Sequence, residues 1–204
     1  MVLSRIELTL SDPGVRSALA DAQKLHRLVS GLFGTARQDV DLLYRLRTQG
    51  SVVTLYLYSA EPLVPERILP CMRLTGSREL SGWLEQIQTG MTFGFDLLTM
   101  PFKKVPDAEG KNSRRRVLRT EEERMAWLAR KAEQNGFELL SAWEQIGEKL
   151  RAVHAPDQGG KLYLDTYQYS GNLRITDADA FRNAVKRGIG PGKAYGLGML
   201  LLTR

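Results

Sequence analysis

Residues 2–32 read Val2-Leu-Ser-Arg-Ile-Glu-Leu-Thr-Leu10-Ser-Asp-Pro-Gly-Val15-Arg-Ser-Ala-Leu-Ala-Asp21-Ala-Gln-Lys-Leu-His26-Arg-Leu-Val-Ser-Gly-Leu32. Two periods meet in this stretch. From Val2 to Leu10 apolar and polar residues alternate, as in a strand with one buried face. From Val15 onward Val15, Leu19, Ala22, Leu25, Val29 and Leu32 recur at three- and four-residue steps, the stripe of one amphipathic helix over 15–32. Asp12-Pro13-Gly14 between them is a turn and helix-start signal. A strand that feeds straight into a helix points to a mixed architecture.

The same alternation continues along the chain. Asp41 to Arg47 and Val52 to Tyr58 are β-rich runs around Thr48-Gln49-Gly50, a hairpin signal. Pro62, Pro65 and Pro70 then break the chain, and a short strand, a helix near Leu80 to Ile87 and a strand over Met91 to Met100 follow. In the second half Thr120-Glu-Glu-Glu is a capping-box start for a helix that runs to about Asn135-Gly136. Phe137 to Trp143, Lys149 to His154 and Lys161 to Ile175 read as strands, with Trp127 and Trp143 on apolar faces as core residues. Thr176-Asp-Ala-Asp opens another helix that ends near Arg187-Gly188, and Gly196 to Leu202 closes as a strand. Strand-helix-strand-strand-helix-strand, written twice, predicts an α+β chain of two tandem ferredoxin-like (RRM-like) domains, residues 1–94 and 95–204.

Composition removes several classes. At 204 residues, 43% hydrophobic and 25% charged, the chain has the make-up of a globular protein with a sizeable core. No apolar run approaches the roughly 18 residues a membrane span needs, and the N-terminal segment lacks a signal peptide's apolar block. One cysteine, Cys71, makes no internal disulfide, and two histidines, His26 and His154, are too few for most metal clusters. A cytoplasmic protein with no metal, no cofactor and no membrane partner is expected.

The formal charge of +6 is unevenly placed. Residues 1–94 hold 10 Lys/Arg against 9 Asp/Glu, whereas 95–204 hold 19 against 14. Lys103 to Arg119 alone carries 7 basic residues (Lys103, Lys104, Lys111, Arg114, Arg115, Arg116, Arg119) against Asp107 and Glu109. Pro106, Gly110 and Asn112 make that segment an exposed loop or hairpin. It is either a solvated surface loop or an arm that contacts phosphates, and three consecutive guanidinium forks suit the second reading.

Gly188-Ile-Gly190-Pro-Gly192-Lys193-Ala-Tyr195-Gly196-Leu-Gly198 places five glycines in eleven residues between a helix and the last strand. It is no Walker loop, since no Gly-Lys-Ser/Thr follows, and no dinucleotide fingerprint, since the strand comes after the glycines. Two readings remain: a helix C-cap leading into a glycine-tolerant edge strand, or a backbone cradle for phosphate with Lys193 adding charge. Tyr195 within it either stacks on a base or plugs the interdomain cleft.

These blocks, in this order, resemble the CasE family of CRISPR-associated endoribonucleases of type I-E (Cascade) systems. The resemblance is carried by the opening strand, Leu25-His26, Leu118-Arg-Thr-Glu-Glu-Glu-Arg-Met-Ala-Trp127-Leu, Gly136-Phe-Glu-Leu-Leu, Ser170-Gly-Asn-Leu-Arg-Ile-Thr-Asp and, most specifically, the glycine block. It implies two ferredoxin-like domains, a CRISPR repeat RNA hairpin as substrate, and metal-independent cleavage at the 3′ base of the stem. The products would be a 2′,3′-cyclic phosphate and a 5′-hydroxyl, with the enzyme staying on its product beside the other Cascade subunits. It places the catalytic histidine at His26, and it assigns the RNA grip to Lys111, Arg114, Arg115, Arg116 and Arg119, with Lys193, Gly190 and Gly192 in support. An imidazole titrating near neutral pH suits either proton transfer of the reaction. His154 matches no family motif and is read as structural or surface.

Two positions depart from the family pattern. Gln23 stands where members often carry a tyrosine, one turn before the histidine; a glutamine can orient a phosphate oxygen or the 2′-OH in support but is no proton donor of the same kind, and Lys24, the other possible supporting residue, lies about 100° further round the helix. Met100-Pro101-Phe102 stands where Asn-Pro-Thr is usual. Gln23 therefore motivates a second reading, a hairpin-binding subunit with little activity. A third is a module whose basic loop meets an acidic protein.

Overall fold

The first strand, β1 (Val2–Leu8), keeps the alternation its sequence promises, burying Val2, Ser4, Ile6 and Leu8 and exposing Arg5. A computed structural model describes residues 1–34, 41–106, 113–154 and 160–203. The helix expected over 15–32 is two helices, α1 (Pro13–Leu19) and α2 (Ala22–Ser30). Asp21 causes the break: its backbone is extended (φ −147°, ψ 109°), and its carboxylate accepts the N–H groups of Gln23 at 2.9 Å and Lys24 at 3.4 Å. A capping aspartate satisfies two orphan donors of a new helix, and so competes with continuing the old one. Both helices still bury one stripe, Val15, Ala18, Leu25 and Val29, which is why the period survives the break.

β2 (Leu43–Gln49) and β3 (Val52–Ser59) form the expected hairpin, and β4 (Met72–Glu79) completes a sheet ordered β2-β3-β1-β4. The prolines leave only a 3₁₀ turn, Pro65–Arg67, between β3 and β4, and the short α3 (Ser81–Glu85) follows β4. Rings that fix φ and remove N–H donors suit a turn and deny a second crossover helix here.

The second sheet is ordered β12-β5-β11-β8, with β5 (Thr92–Thr99), β8 (Phe137–Ile146), β11 (Tyr167–Ile175) and β12 (Leu200–Thr203). In chain order its strands take the same places as those of the first sheet, the ferredoxin-like arrangement, here antiparallel throughout. Its helices are α4 (Glu121–Gln134) and α5 (Ala178–Arg187), which bury Trp127, Leu128, Phe181 and Val185 against Phe137, Tyr169 and Leu173. Among the described residues two further strand pairs are inserted, β6 (Phe102–Pro106) with β7 (Ser113–Val117) and β9 (Leu150–Val153) with β10 (Lys161–Leu164).

The strand expected over 161–175 is thus divided between two sheets. Thr166 divides it, because its carbonyl accepts from Gly147 N–H at 2.8 Å and its hydroxyl donates to the Glu148 carbonyl at 2.7 Å. The last strand starts at Leu200, not Gly196, since Gly196 (φ 78°) and Gly198 (φ 84°) are left-handed. Trp127 is core, but Trp143 is 54% exposed. The neighbouring Glu144 points toward α4, where Arg124 grips it from Nε and Nη2, so the next side chain along the strand turns to the other face.

The two halves meet at β2. Arg45 Nη1 lies 2.5 Å from Asp96 Oδ1 with side chains only 3% and 10% exposed, and Gln168 donates to the other oxygen of Asp96 at 2.6 Å. Beside this pair, a Cβ on Gly188 would stand 3.0 Å from Leu43 Cδ2 and one on Gly196 would stand 2.9 Å from the Tyr44 ring. Glycine lets the loop lie directly on the strand. Tyr44 Oη then donates to the Ala194 carbonyl at 2.8 Å.

Removing one member of a buried pair strands the other charge. Arg45→Ala is therefore expected to lower folding stability by about 3–5 kcal/mol in denaturant titration. Arg45→Met combined with Asp96→Leu should cost clearly less than the sum of the single changes, by the same titration.

Candidate active site and nucleic-acid interface

α2 is held from both halves. The Asp21 carboxylate that caps it also accepts the N–H of Val153 in β9 at 3.2 Å, which ties the helix start to the second half of the chain. Burial raises the pKa of this carboxyl, but three amides, from Val153, Gln23 and Lys24, outweigh it and leave the group below its ordinary 3.8. With Ala22, Leu25 and Val29 buried, His26 and Gln23 sit half-buried on one flank. Ser30 Oγ lies 3.5 Å from His26 Nδ1, one turn along. Lys24 is exposed, and its ammonium donates to Ser17 Oγ at 2.7 Å, bridging α2 to α1. The helix that carries His26 is therefore capped, buttressed and oriented before any ligand arrives.

The glycine block lies against this helix. Its one-turn 3₁₀ helix, Lys193–Tyr195, packs on α2 and β2, bounded by Gly192 (φ 80°) and Gly196 (φ 78°). Several of its amides serve the fold: Ile189 N–H donates to Gly198 O at 2.7 Å, Gly198 N–H to Leu98 O at 2.8 Å, and Tyr195 N–H to Gly192 O at 2.8 Å. A Cβ on Gly190 would come within 2.5 Å of Thr99 Oγ1 and 3.3 Å of the Trp127 ring, and one on Gly192 within 2.7 Å of Leu197. Lys193 is half-buried, and burial, with Arg187 adding repulsion, lowers its pKa. A lysine that loses water on a half-buried surface gains from an anion placed beside it.

Between the halves lies a cavity of about 630 Å³, whose wall includes Ala22, Leu25, Arg47, Arg151 and Tyr195. Tyr195 lines this cavity without filling it. Its Oη stands 2.9 Å from His154 Nε2, with the rings edge to face at 6.2 Å. His154, read from the sequence as structural or surface, is half-buried in that contact. The pairing joins residues 41 positions apart, so no local signal marks it.

The basic segment is a hairpin where it is described. Lys103, Lys104 and Val105 pair with Arg116, Arg115 and Arg114, which puts six residues of which five are basic on two adjacent strands. Arg116 is 57% exposed and meets Glu123 at 3.2 Å, a surface ion pair that leaves the guanidinium accessible. The hairpin's foot is fixed: Arg119 N–H donates to Glu123 at 3.0 Å, and its carbonyl accepts from Arg124 Nη1 at 2.8 Å. Arg124 is anchored in turn by Glu144 and stacks 4.2 Å over the Tyr167 ring. Lys111 lies outside the described residues. Among the described residues no three His, Cys, Asp or Glu side chains are grouped to hold a metal ion, and no helix is long and apolar enough to cross a membrane.

Two ferredoxin-like units carry a basic hairpin and a glycine-rich loop packed against a histidine-bearing helix. The model of the family described as CRISPR-associated protein matches residues 1–204, and the chain belongs to that family, in the CasE group to which its sequence pointed. It is 34% identical over 123 residues to the CRISPR-associated endoribonuclease Cse3 of Thermus thermophilus, and 33% identical over 125 residues to the Cascade subunit CasE of Escherichia coli K12. These matches span 56% and 58% of this chain and 56% and 61% of the two relatives, so a little over half of each is covered. A structure of CRISPR endoribonuclease Cse3 bound to a 19-nucleotide RNA superposes over 100% of both chains with a TM-score of 0.85 at 26% identity.

Asp21→Ala is expected to cost about 1–2 kcal/mol in denaturant titration, the value of a lost N-cap with an added amide bond, and Asp21→Asn much less. Because the folded pKa lies below the ordinary 3.8, this contribution is full at neutral pH. It fades only as pH falls below that ordinary value and through the lowered one, so the wild-type and alanine stabilities should converge in acid.

Proposed function

We propose that this chain is a metal-independent endoribonuclease that cuts precursor CRISPR RNA at the 3′ base of the repeat hairpin. His26 takes the proton from the ribose 2′-OH, the 2′ oxygen attacks the adjacent phosphorus, and the P–O5′ bond breaks. The products are a 2′,3′-cyclic phosphate and a 5′-hydroxyl, and no water is consumed. The observation that carries the reading is His26 half-buried on a helix capped by Asp21 and packed on the glycine block. Membership of the family supports it, as do relatives named for endoribonuclease activity and for the Cascade complex.

Lys111, Arg114, Arg115, Arg116 and Arg119 hold the RNA stem, acting on its phosphates and its end, since the A-form major groove is too narrow for side chains to read. Lys193, with the backbone at Gly190 and Gly192, supports the RNA face next to α2. The protein works in the cytoplasm and stays on its product hairpin among the other Cascade subunits. Gln23, at the place of the usual tyrosine, favours a second reading: a subunit that binds the hairpin and cuts it little.

A single-turnover assay with an end-labelled repeat hairpin in excess EDTA separates the two. Wild type should cut, and His26→Ala should be slower by about 10²–10⁴-fold, the usual worth of one acid–base group, with hairpin affinity within a few-fold. Loss of cutting in EDTA, or an alanine variant as fast as wild type, contradicts the proposal; tight binding by both without cutting selects the second reading.

A further inference from the structure

The reaction needs two proton transfers, and α2 offers one imidazole. Gln23 shares the flank of His26 but carries no transferable proton, and Lys24 is turned away onto Ser17. We propose that Tyr195 and His154 supply the second transfer, with Tyr195 as the proton donor to the departing 5′ oxygen. This rests on the reading of His26 as the base.

The couple is placed for that task by its supports. Tyr195 closes the 3₁₀ turn that packs on α2, and the turn is pinned by Tyr44 through the Ala194 carbonyl at 2.8 Å. Tyr195 shares the cavity wall with Ala22 and Leu25, and His26 lies only about 40° round the helix from Ala22 at 3.6 residues per turn. On the other side His154 extends from β9, its N–H donating to Gly160 O at 2.8 Å, and presents Nε2 to the phenol at 2.9 Å. β9 also supplies the Val153 amide that binds Asp21, so one strand end fixes both the His26 helix and the His154 ring. Arg47 and Arg151 on the same wall favour a phosphodiester in the cleft.

The chemistry gives the pairing a reason. A phenol is a weak acid by itself. An imidazolium bonded to it returns a proton to the phenolate as it forms, so no oxyanion is left behind. As the P–O5′ bond breaks, the Tyr195 Oη proton passes to the 5′ oxygen and the His154 Nε2 proton passes to Oη. His26 ends protonated, His154 ends neutral, and exchange with solvent restores both.

The test compares an ordinary hairpin with one whose scissile 5′ oxygen is replaced by bridging sulfur, because a thiolate leaves without needing a proton. On the oxygen substrate Tyr195→Phe should cut about 10²–10⁴-fold slower than wild type in single turnover, and His154→Gln should also be slowed. On the sulfur substrate both should match wild type, while His26→Ala stays slow on each. A Tyr195→Phe variant equally slow on both substrates makes the pair merely structural and overturns the proposal, as does one that cuts the oxygen substrate at the wild-type rate. If His26→Ala cuts normally while sulfur still rescues Tyr195→Phe, the donor stands and the base lies elsewhere. If wild type cuts neither substrate, both readings fall.

Discussion

The buried contact of Arg45 with Asp96 is the constraint on which the arrangement of this molecule depends. Two ferredoxin-like sheets have no intrinsic reason to meet at one angle, and apolar surface alone is tolerant of sliding. A desolvated guanidinium 2.5 Å from a carboxylate is not, because any displacement leaves two buried charges uncompensated. The pair fixes β2 against β5, and β2 is the strand on which the glycine block rests. Leu43 and Tyr44 occupy space that a Cβ at Gly188 or Gly196 would claim. Position then passes from β2 to the Lys193–Tyr195 turn, from the turn to α2, and from α2 to His26.

The glycines accordingly have a different weight from the one their spacing suggests. In sequence, five glycines in eleven residues look equally like a phosphate cradle and a packing device. Left-handed backbone at Gly192 and Gly196, together with amides already bonded to Gly198, Leu98 and Gly192 carbonyls, makes packing their first role. The loop builds the wall beside the histidine helix and leaves Lys193 half-buried on it.

Much of this was legible in the residues. The switch from period two to period three-and-a-half in 2–32, the hairpin around Gly50, the cap at Thr120 and the helix opening at Thr176-Asp-Ala-Asp each follow from local chemistry, and the element order gives the double ferredoxin-like fold. What escaped was set by side chains meeting over long separations or by polar groups outbidding a pattern. Asp21 splits a helix whose apolar stripe is continuous, and Thr166 divides a run of strand formers by binding Gly147 and Glu148. Trp143 looked apolar and hence internal, but alternation beside the Arg124-bound Glu144 turns it outward. The His154–Tyr195 bond had no sequence signal, since neither residue belongs to a local motif with the other.

The proposed reaction, an attack by the ribose 2′-OH directed by the chain's own side chains, stands or falls with that hydroxyl. The direct measurement is single-turnover cleavage of a repeat hairpin carrying one 2′-deoxynucleotide immediately 5′ of the scissile phosphate, alongside its affinity for the protein. The account predicts binding within a few-fold of the all-ribose hairpin and no detectable cutting. Cleavage of the deoxy substrate at the ordinary rate would mean that water is the nucleophile, and would contradict the account.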